Sequence, residues 1–199
     1  ILRCLVGSEM CIRDRLKGHG VGRISINPQT LEDHVLRAIG RKHAAGDIRA
    51  ANDLARSVGF DCINMDLIAG LPQDSCEGFR RSLEGVLEME PENVTIHTLA
   101  LKKGSTLMER GGSLPSGAEV AEMLDFSREI LIRRGYRPYY LYRQKYMSGA
   151  LENVGWAKPG TENLYNIIMM EELQTVVSVG GGGVTKLVDY AAGRIVRLP

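Results

Sequence analysis

Short apolar runs bounded by Gly and Pro alternate along this chain with stretches whose apolar residues recur at helical spacing, and the order predicts strand, helix, strand, helix. Arg23-Ile24-Ser25-Ile26-Asn27-Pro28-Gln29-Thr30 reads as a short strand ending in a polar turn. Leu31, Val35, Leu36 and Ile39 then have the spacing of an amphipathic helix. A second helix is expected from about Ala45 to Val58, stopped by Gly59, a residue suited to the left-handed conformation at a helix end. The next strand is Ile63-Asn64-Met65-Asp66-Leu67-Ile68-Ala69-Gly70-Leu71-Pro72, an apolar run of the kind covered on both faces. After it, Asp74 or Ser75 can cap a helix with Phe79, Leu83, Val86 and Leu87 on its inner face. Pro91 breaks the chain before the strand Val94-Thr95-Ile96-His97-Thr98-Leu99-Ala100, and a helix from about Ala118 to Arg134 ends at Gly135. The βαβαβα order places the chain in the α/β class, with parallel strands joined by right-handed crossovers.

One position in this pattern carries chemistry. Asn64 and Asp66 are two residues apart and project to the same side of their strand. An ionised carboxylate near the end of a buried strand needs a cation, a set of donors or a ligand. Ligands of barrel and open α/β folds gather at this end of the strands; the competing reading is an Asp that caps the following loop.

Beyond Gly135 the pattern changes. Tyr136, Tyr139, Tyr140, Tyr142 and Tyr146 are interleaved with Arg137, Arg143 and Lys145, and Tyr140-Leu141-Tyr142-Arg143-Gln144-Lys145 alternates as a strand does. Such a face suits a flat, carboxylated molecule, held by stacking and charge-assisted hydrogen bonds. It equally suits an edge strand that carries Lys and Arg against unwanted pairing. A helix-like stretch, Glu162 to Val176, precedes Gly180-Gly181-Gly182-Gly183. These glycines match neither a P-loop nor a dinucleotide fingerprint; they fit a tight bend or a backbone surface for a cofactor.

Composition narrows the classes. The 199 residues carry a net charge of +1 with both signs spread along the chain, which does not suggest a nucleic-acid partner. No apolar run is long enough for a membrane span. Cys4, Cys11, Cys62 and Cys76 are scattered, without CxxC or zinc spacing, as expected of thiols in a reducing cytoplasm. Cys4-Leu5-Val6-Gly7-Ser8-Glu9-Met10-Cys11-Ile12-Arg13-Asp14-Arg15 fits no periodicity and resembles a translated sequencing-adapter string. Residues 1–17 are therefore expected to be a non-native leader, followed by a first domain over 18–135 and a C-terminal region over 136–199.

Three motifs in order, Arg23-Ile24-Ser25-Ile26-Asn27-Pro28-Gln29, Ile39-Gly40-Arg41-Lys42-His43 and Asn64-Met65-Asp66-Leu67-Ile68-Ala69-Gly70-Leu71-Pro72, resemble the second half of a radical SAM barrel. Within that superfamily the chain is similar to the oxygen-independent coproporphyrinogen III oxidase (coproporphyrinogen dehydrogenase) family. Pro138-Tyr139-Tyr140-Leu141-Tyr142-Arg143-Gln144-Lys145 and Glu152-Asn153-Val154-Gly155-Trp156-Ala157-Lys158-Pro159-Gly160 point to its HemZ-like branch. The resemblance implies part of a (β/α)6 barrel followed by part of a C-terminal α+β region. It implies contacts with S-adenosylmethionine (SAM) from Gln29, from Arg41 on the helix that follows, and from Asp66, Ala100 and Val184. Arg137, Tyr140, Tyr142, Arg143, Lys145 and Lys158 become candidates to hold the propionates and macrocycle of a tetrapyrrole. The implied parent is a cytoplasmic oxidoreductase of porphyrin biosynthesis with SAM, a [4Fe-4S] cluster and an electron donor. The family includes haem chaperones, which keeps a haem-carrying role open; a phosphate-binding barrel enzyme is a third reading. The sequence departs from the family in lacking both the CxxxCxxC cluster loop and the glycine-rich SAM motif of the preceding barrel half, so this chain alone is expected to be inactive.

Overall fold

The computed structural model describes residues 10–100, 114–142, 152–180 and 182–198, which fall in two compact units, 1–162 and 163–199. In the first unit the helices are α1 (Met10–Gly18), α2 (Asp33–Ala38), α3 (Ala45–Val58), α4 (Cys76–Glu88) and α5 (Gly117–Arg133). Its strands are β1 (Arg23–Gln29), β2 (Cys62–Ala69), β3 (Asn93–Thr98), β4 (Arg137–Tyr142) and β5 (Asn153–Ala157). They form one sheet in the order β1-β2-β3-β5-β4. The three strands of the βαβαβα reading are parallel, as expected. The sheet then departs from that pattern, because β5 inserts antiparallel between β3 and β4.

Helix ends are set by local chemistry. The Ser75 hydroxyl accepts from the Gly78 amide 3.0 Å away and opens α4, while Asp74 accepts from the Ser75 amide. Ser116 and Glu119 exchange both bonds of a capping box at the start of α5. Gly59 ends α3 with φ +83°. The segment set aside as a leader is partly helical: Met10–Gly18 forms α1, and Lys17 pairs with Asp61 at 2.9 Å.

Strand periodicity divides the sheet into two faces. On β2, Ile63, Met65, Leu67 and Ala69 are fully buried, in a core with Phe79, Leu83 and Val86 of α4 and Val120, Met123 and Leu131 of α5. Each large apolar side chain buried there contributes about 1.5–3 kcal/mol. The alternate positions form the second face, where Asn64 is level with Ser25 on β1 and Asp66 with Thr95 on β3. Across β5 the row continues from Thr95 through Gly155 to Tyr140. At the N-terminal end of the strands this face is tied down by Arg23, which donates to Asn93 and to the Thr161 carbonyl.

The second unit holds α6 (Leu164–Met170) and a hairpin of β6 (Thr185–Asp189) and β7 (Arg194–Leu198). The helix expected over Glu162 to Val176 is much shorter. It stops at Glu171, and Glu172 takes φ +53°, a left-handed conformation that ends the helical path. Gly180 and Gly182 have φ of +105° and +78° in a tight bend, where the Gly183 amide bonds back to the Gly180 carbonyl.

Two stability outcomes follow. Ser75→Ala leaves the Gly78 amide without its cap and lowers stability by about 1 kcal/mol in urea denaturation. Gly155→Ala costs about 1–3 kcal/mol, because its methyl group overlaps the Tyr140 ring lying across β5. Combining it with Tyr140→Ala recovers part of that loss, which a double-mutant cycle measures.

Candidate functional site

The polar face is a single hydrogen-bonded chain running across the sheet from β1 to β4. Asn64 is its hub: its amide donates to Asp66 Oδ1 at 2.8 Å and to Ser25 Oγ at 3.3 Å, and its carbonyl oxygen accepts from Thr95 Oγ1 at 3.2 Å. Thr95 Oγ1 lies 3.4 Å from the Tyr140 hydroxyl. One step further along the strands, His97 Nε2 is 3.7 Å from Asp66 Oδ2, and His97 Nδ1 is 3.0 Å from the Tyr142 hydroxyl. The Tyr140 and Tyr142 rings are nearly parallel, 5° apart, with centroids 6.2 Å apart. Burial pushes the Tyr140 phenol up to about 12, so near neutral pH it is an uncharged hydroxyl.

The face is reachable. The side chains of Asp66 and His97 are 20% and 25% exposed. Asp66 Oδ1 has its donor in Asn64, while Oδ2 faces the imidazole at more than hydrogen-bond distance. One further acceptor of this face lies toward the C-terminal end of β1, where Asn27 Oδ1, in line with Ser25, is buried without a hydrogen-bond partner; Thr98 Oγ1 is also unpartnered but alternates with Val94 and Ile96 on the opposite, apolar face. Such atoms are costly in a finished core and useful facing a ligand.

The sequence-predicted residues fall in different places. Gln29 ends β1, 9% exposed, with φ +69°, a conformation uncommon outside glycine. Ala100 follows two residues after β3, half-buried. Arg41 is not on a helix: it is exposed in the link between α2 and α3, where its charge, after burial, holds the neighbouring His43 imidazole below its ordinary range. No ion pair joins Arg41 to Asp66 among the described residues. Val184 belongs to the second unit, exposed just before β6. Arg143 and Lys145 lie outside the described residues. Arg137 sits level with Ala157 and, across β5, with Asn93, which opens β3 two positions before Thr95, the residue level with Asp66. Lys158 is bonded to the Glu90 carbonyl at 3.2 Å and lies 5.7 Å from the centre of the Tyr136 ring. A cleft of about 520 Å³ opens there, lined by Arg49, Asn52, Arg56, Glu88, Glu92 and Lys158.

Thr95, Ser25 and His97 were not identified from sequence as members of this face. The usable signal was parity: Thr95 and His97 follow the same alternation as Asn64 and Asp66, but the register of β3 against β2 is needed to bring the two pairs together.

Comparison with known proteins agrees with this architecture. The sequence pattern described as the Radical SAM superfamily matches residues 12–84. The oxygen-independent coproporphyrinogen-III oxidase-like protein HemZ of Bacillus subtilis (strain 168) is 42% identical over 184 residues, 92% of this chain and 37% of HemZ. The heme chaperone HemW of the same organism is 30% identical over 156 residues, covering 76% of this chain and 38% of HemW. Coproporphyrinogen III oxidase (HemN) from Escherichia coli, a solved radical SAM enzyme, superposes with a TM-score of 0.64 at 22% identity, over 90% of this chain and 40% of that one. The chain spans well under half the length of HemZ and HemW. With its parallel strands, its polar carboxylate-bearing face and 42% identity to HemZ, the chain belongs to the radical SAM superfamily, in the oxygen-independent coproporphyrinogen III oxidase-like family.

Proposed function

We propose that this chain is the SAM-binding second half of a radical SAM barrel whose parent carries out oxygen-independent oxidative decarboxylation of coproporphyrinogen III to protoporphyrinogen IX. The observation that carries the reading is Asp66: a partly exposed carboxylate on a parallel strand, with one oxygen fixed by Asn64 and the other open to a donor. SAM brings such donors in its ribose hydroxyls and ammonium group. The unpartnered Asn27 Oδ1 offers one more acceptor, so the residues present fit this cofactor. They do not fit the [4Fe-4S] cluster, because the sequence holds no CxxxCxxC; cluster ligands belong to a part of the parent outside this chain. SAM bound beside that cluster supplies the radical chemistry, and the protein orients it and limits access of water.

The roles of this chain's residues follow from their positions. Asp66 accepts from the cofactor, and Gln29 and Ala100 border it at the ends of β1 and β3. Arg41, exposed in the link between α2 and α3, is a candidate partner for a cofactor carboxylate. Tyr140 and Tyr142 form an aromatic floor for a tetrapyrrole, while Arg143, Lys145 and Arg137 are candidate partners of its propionates. The parent takes electrons from a donor protein or small reductant and works in the cytoplasm.

The 30% identity to HemW favours a second reading, in which the parent carries haem without decarboxylating its precursor.

Two measurements test these readings. In equilibrium dialysis this chain binds SAM saturably, and Asp66→Asn weakens binding about tenfold, as expected for loss of roughly 1.4 kcal/mol from a charge-assisted bond. Absence of saturable binding to the folded chain rejects the SAM reading. For the full-length parent, reconstituted with its cluster under anaerobic conditions, CO₂ release from coproporphyrinogen III is expected. Haem transfer to an acceptor without CO₂ release makes the chaperone reading the correct one.

A further inference from the structure

We propose that His97 and Tyr142 are positioning residues for Asp66, forming a one-directional chain, Tyr142 O–H to His97 Nδ1 and His97 Nε2–H toward Asp66, that orients the carboxylate for a hydroxyl- or ammonium-bearing ligand; the ligand's identity as SAM rests on the proposed function.

The order of the chain follows from what each group can donate. An ionised carboxylate only accepts, so the imidazole nitrogen facing Asp66 Oδ2 is the protonated one. That leaves Nδ1 with a lone pair, and the Tyr142 hydroxyl 3.0 Å away donates to it. The rings of His97 and Tyr142 meet edge to face, 69° apart with centroids 6.2 Å apart, which restricts rotation of the imidazole. Among the described residues, no Lys or Arg is ion-paired with Asp66; His97 is the basic side chain beside it.

The two carboxylate oxygens are held differently. Oδ1 is locked by the Asn64 amide at 2.8 Å, and Asn64 is itself held by Thr95 and Ser25. Oδ2 stands 3.7 Å from Nε2, too far for a direct hydrogen bond and close enough for a favourable electrostatic contact. A ligand donor can therefore reach Oδ2 without first displacing a bonded side chain, while His97 and Asn64 together fix the plane of the carboxylate. This is orientation in advance of binding, achieved by supports that need not touch the ligand.

The test combines a spectroscopic readout with binding. Long-range ¹H–¹⁵N NMR of the ¹⁵N-histidine-labelled chain reports the tautomer of His97, assigned with the His97→Gln variant. The Nε2–H form is expected, shifting to a mixture in Tyr142→Phe. In SAM titrations, His97→Ala weakens binding about fivefold, or roughly 1 kcal/mol. His97→Gln, whose amide also donates toward Asp66, restores most of it, and Tyr142→Phe has a smaller effect than His97→Ala. An Nδ1–H tautomer unaffected by Tyr142→Phe overturns the proposal, as does wild-type affinity in a folded His97→Ala chain. If the wild-type chain does not bind SAM, the tautomer still decides: a Tyr142-dependent Nε2–H form upholds the positioning chain and rejects the SAM reading alone.

Discussion

The structure depends on a single constraint, the period-two alternation of β2 and β3. One set of side chains is apolar and fits beneath α4 and α5. The other set, Asn64, Asp66, Thr95 and His97, is polar and cannot be buried unpaired. Parallel strands in register bring these groups level with one another, and the hydrogen bonds they form across strands make the polar face tolerable. The site is therefore a by-product of satisfying the sheet. Its remaining open valences, Asp66 Oδ2 and the Asn27 acceptor, are the ones available to a ligand.

The two ends of the strands have different tasks. At the N-terminal end Glu92 accepts from Arg56 at 2.9 and 3.0 Å and from the Ile63 amide at 2.8 Å, and Arg23 fixes Asn93 and Thr161. Paired charges and backbone bonds there bind strand to strand. From the middle of the strands onward the described partners are neutral amides, hydroxyls and an imidazole around the Asp66 carboxylate. The cleft among Arg56, Glu92 and Lys158 belongs to the first kind of end, and the proposed cofactor contacts to the second.

What was legible in the sequence was local. Gly59 stops α3, Ser75 opens α4, and the four apolar residues assigned to the inner face of α4 are buried, because each rests on a nearby backbone requirement or on helical spacing. The side-by-side projection of Asn64 and Asp66 needed only strand parity. Non-local pairings were hidden. β5 is five residues long, and nothing in Asn153-Val154-Gly155-Trp156-Ala157 says that it lies antiparallel between β3 and β4. Without that insertion Tyr140 cannot be placed against Thr95, nor Tyr142 against His97. The hairpin of β6 and β7 escaped for a related reason: Lys186, Arg194 and Arg197 interrupt the apolar pattern, and Lys186 and Arg197 instead meet at Glu172. The overlong helix reading from Glu162 counted apolar residues correctly but had no signal for the backbone reversal at Glu172.

Insertion of β5 also sets a timetable. Among the described strands β4 pairs with β5, so β4 joins this sheet only once residues through Ala157, made after it, are present. The parallel pairs of β1, β2 and β3 are made from residues that precede β4 in the chain. Gly155 must arrive before Tyr140 has a surface to lie across, and only then do the two tyrosines reach Thr95 and His97. The aromatic side of the site thus depends on residues synthesised after β4, whereas the carboxylate face is built from strands that precede it.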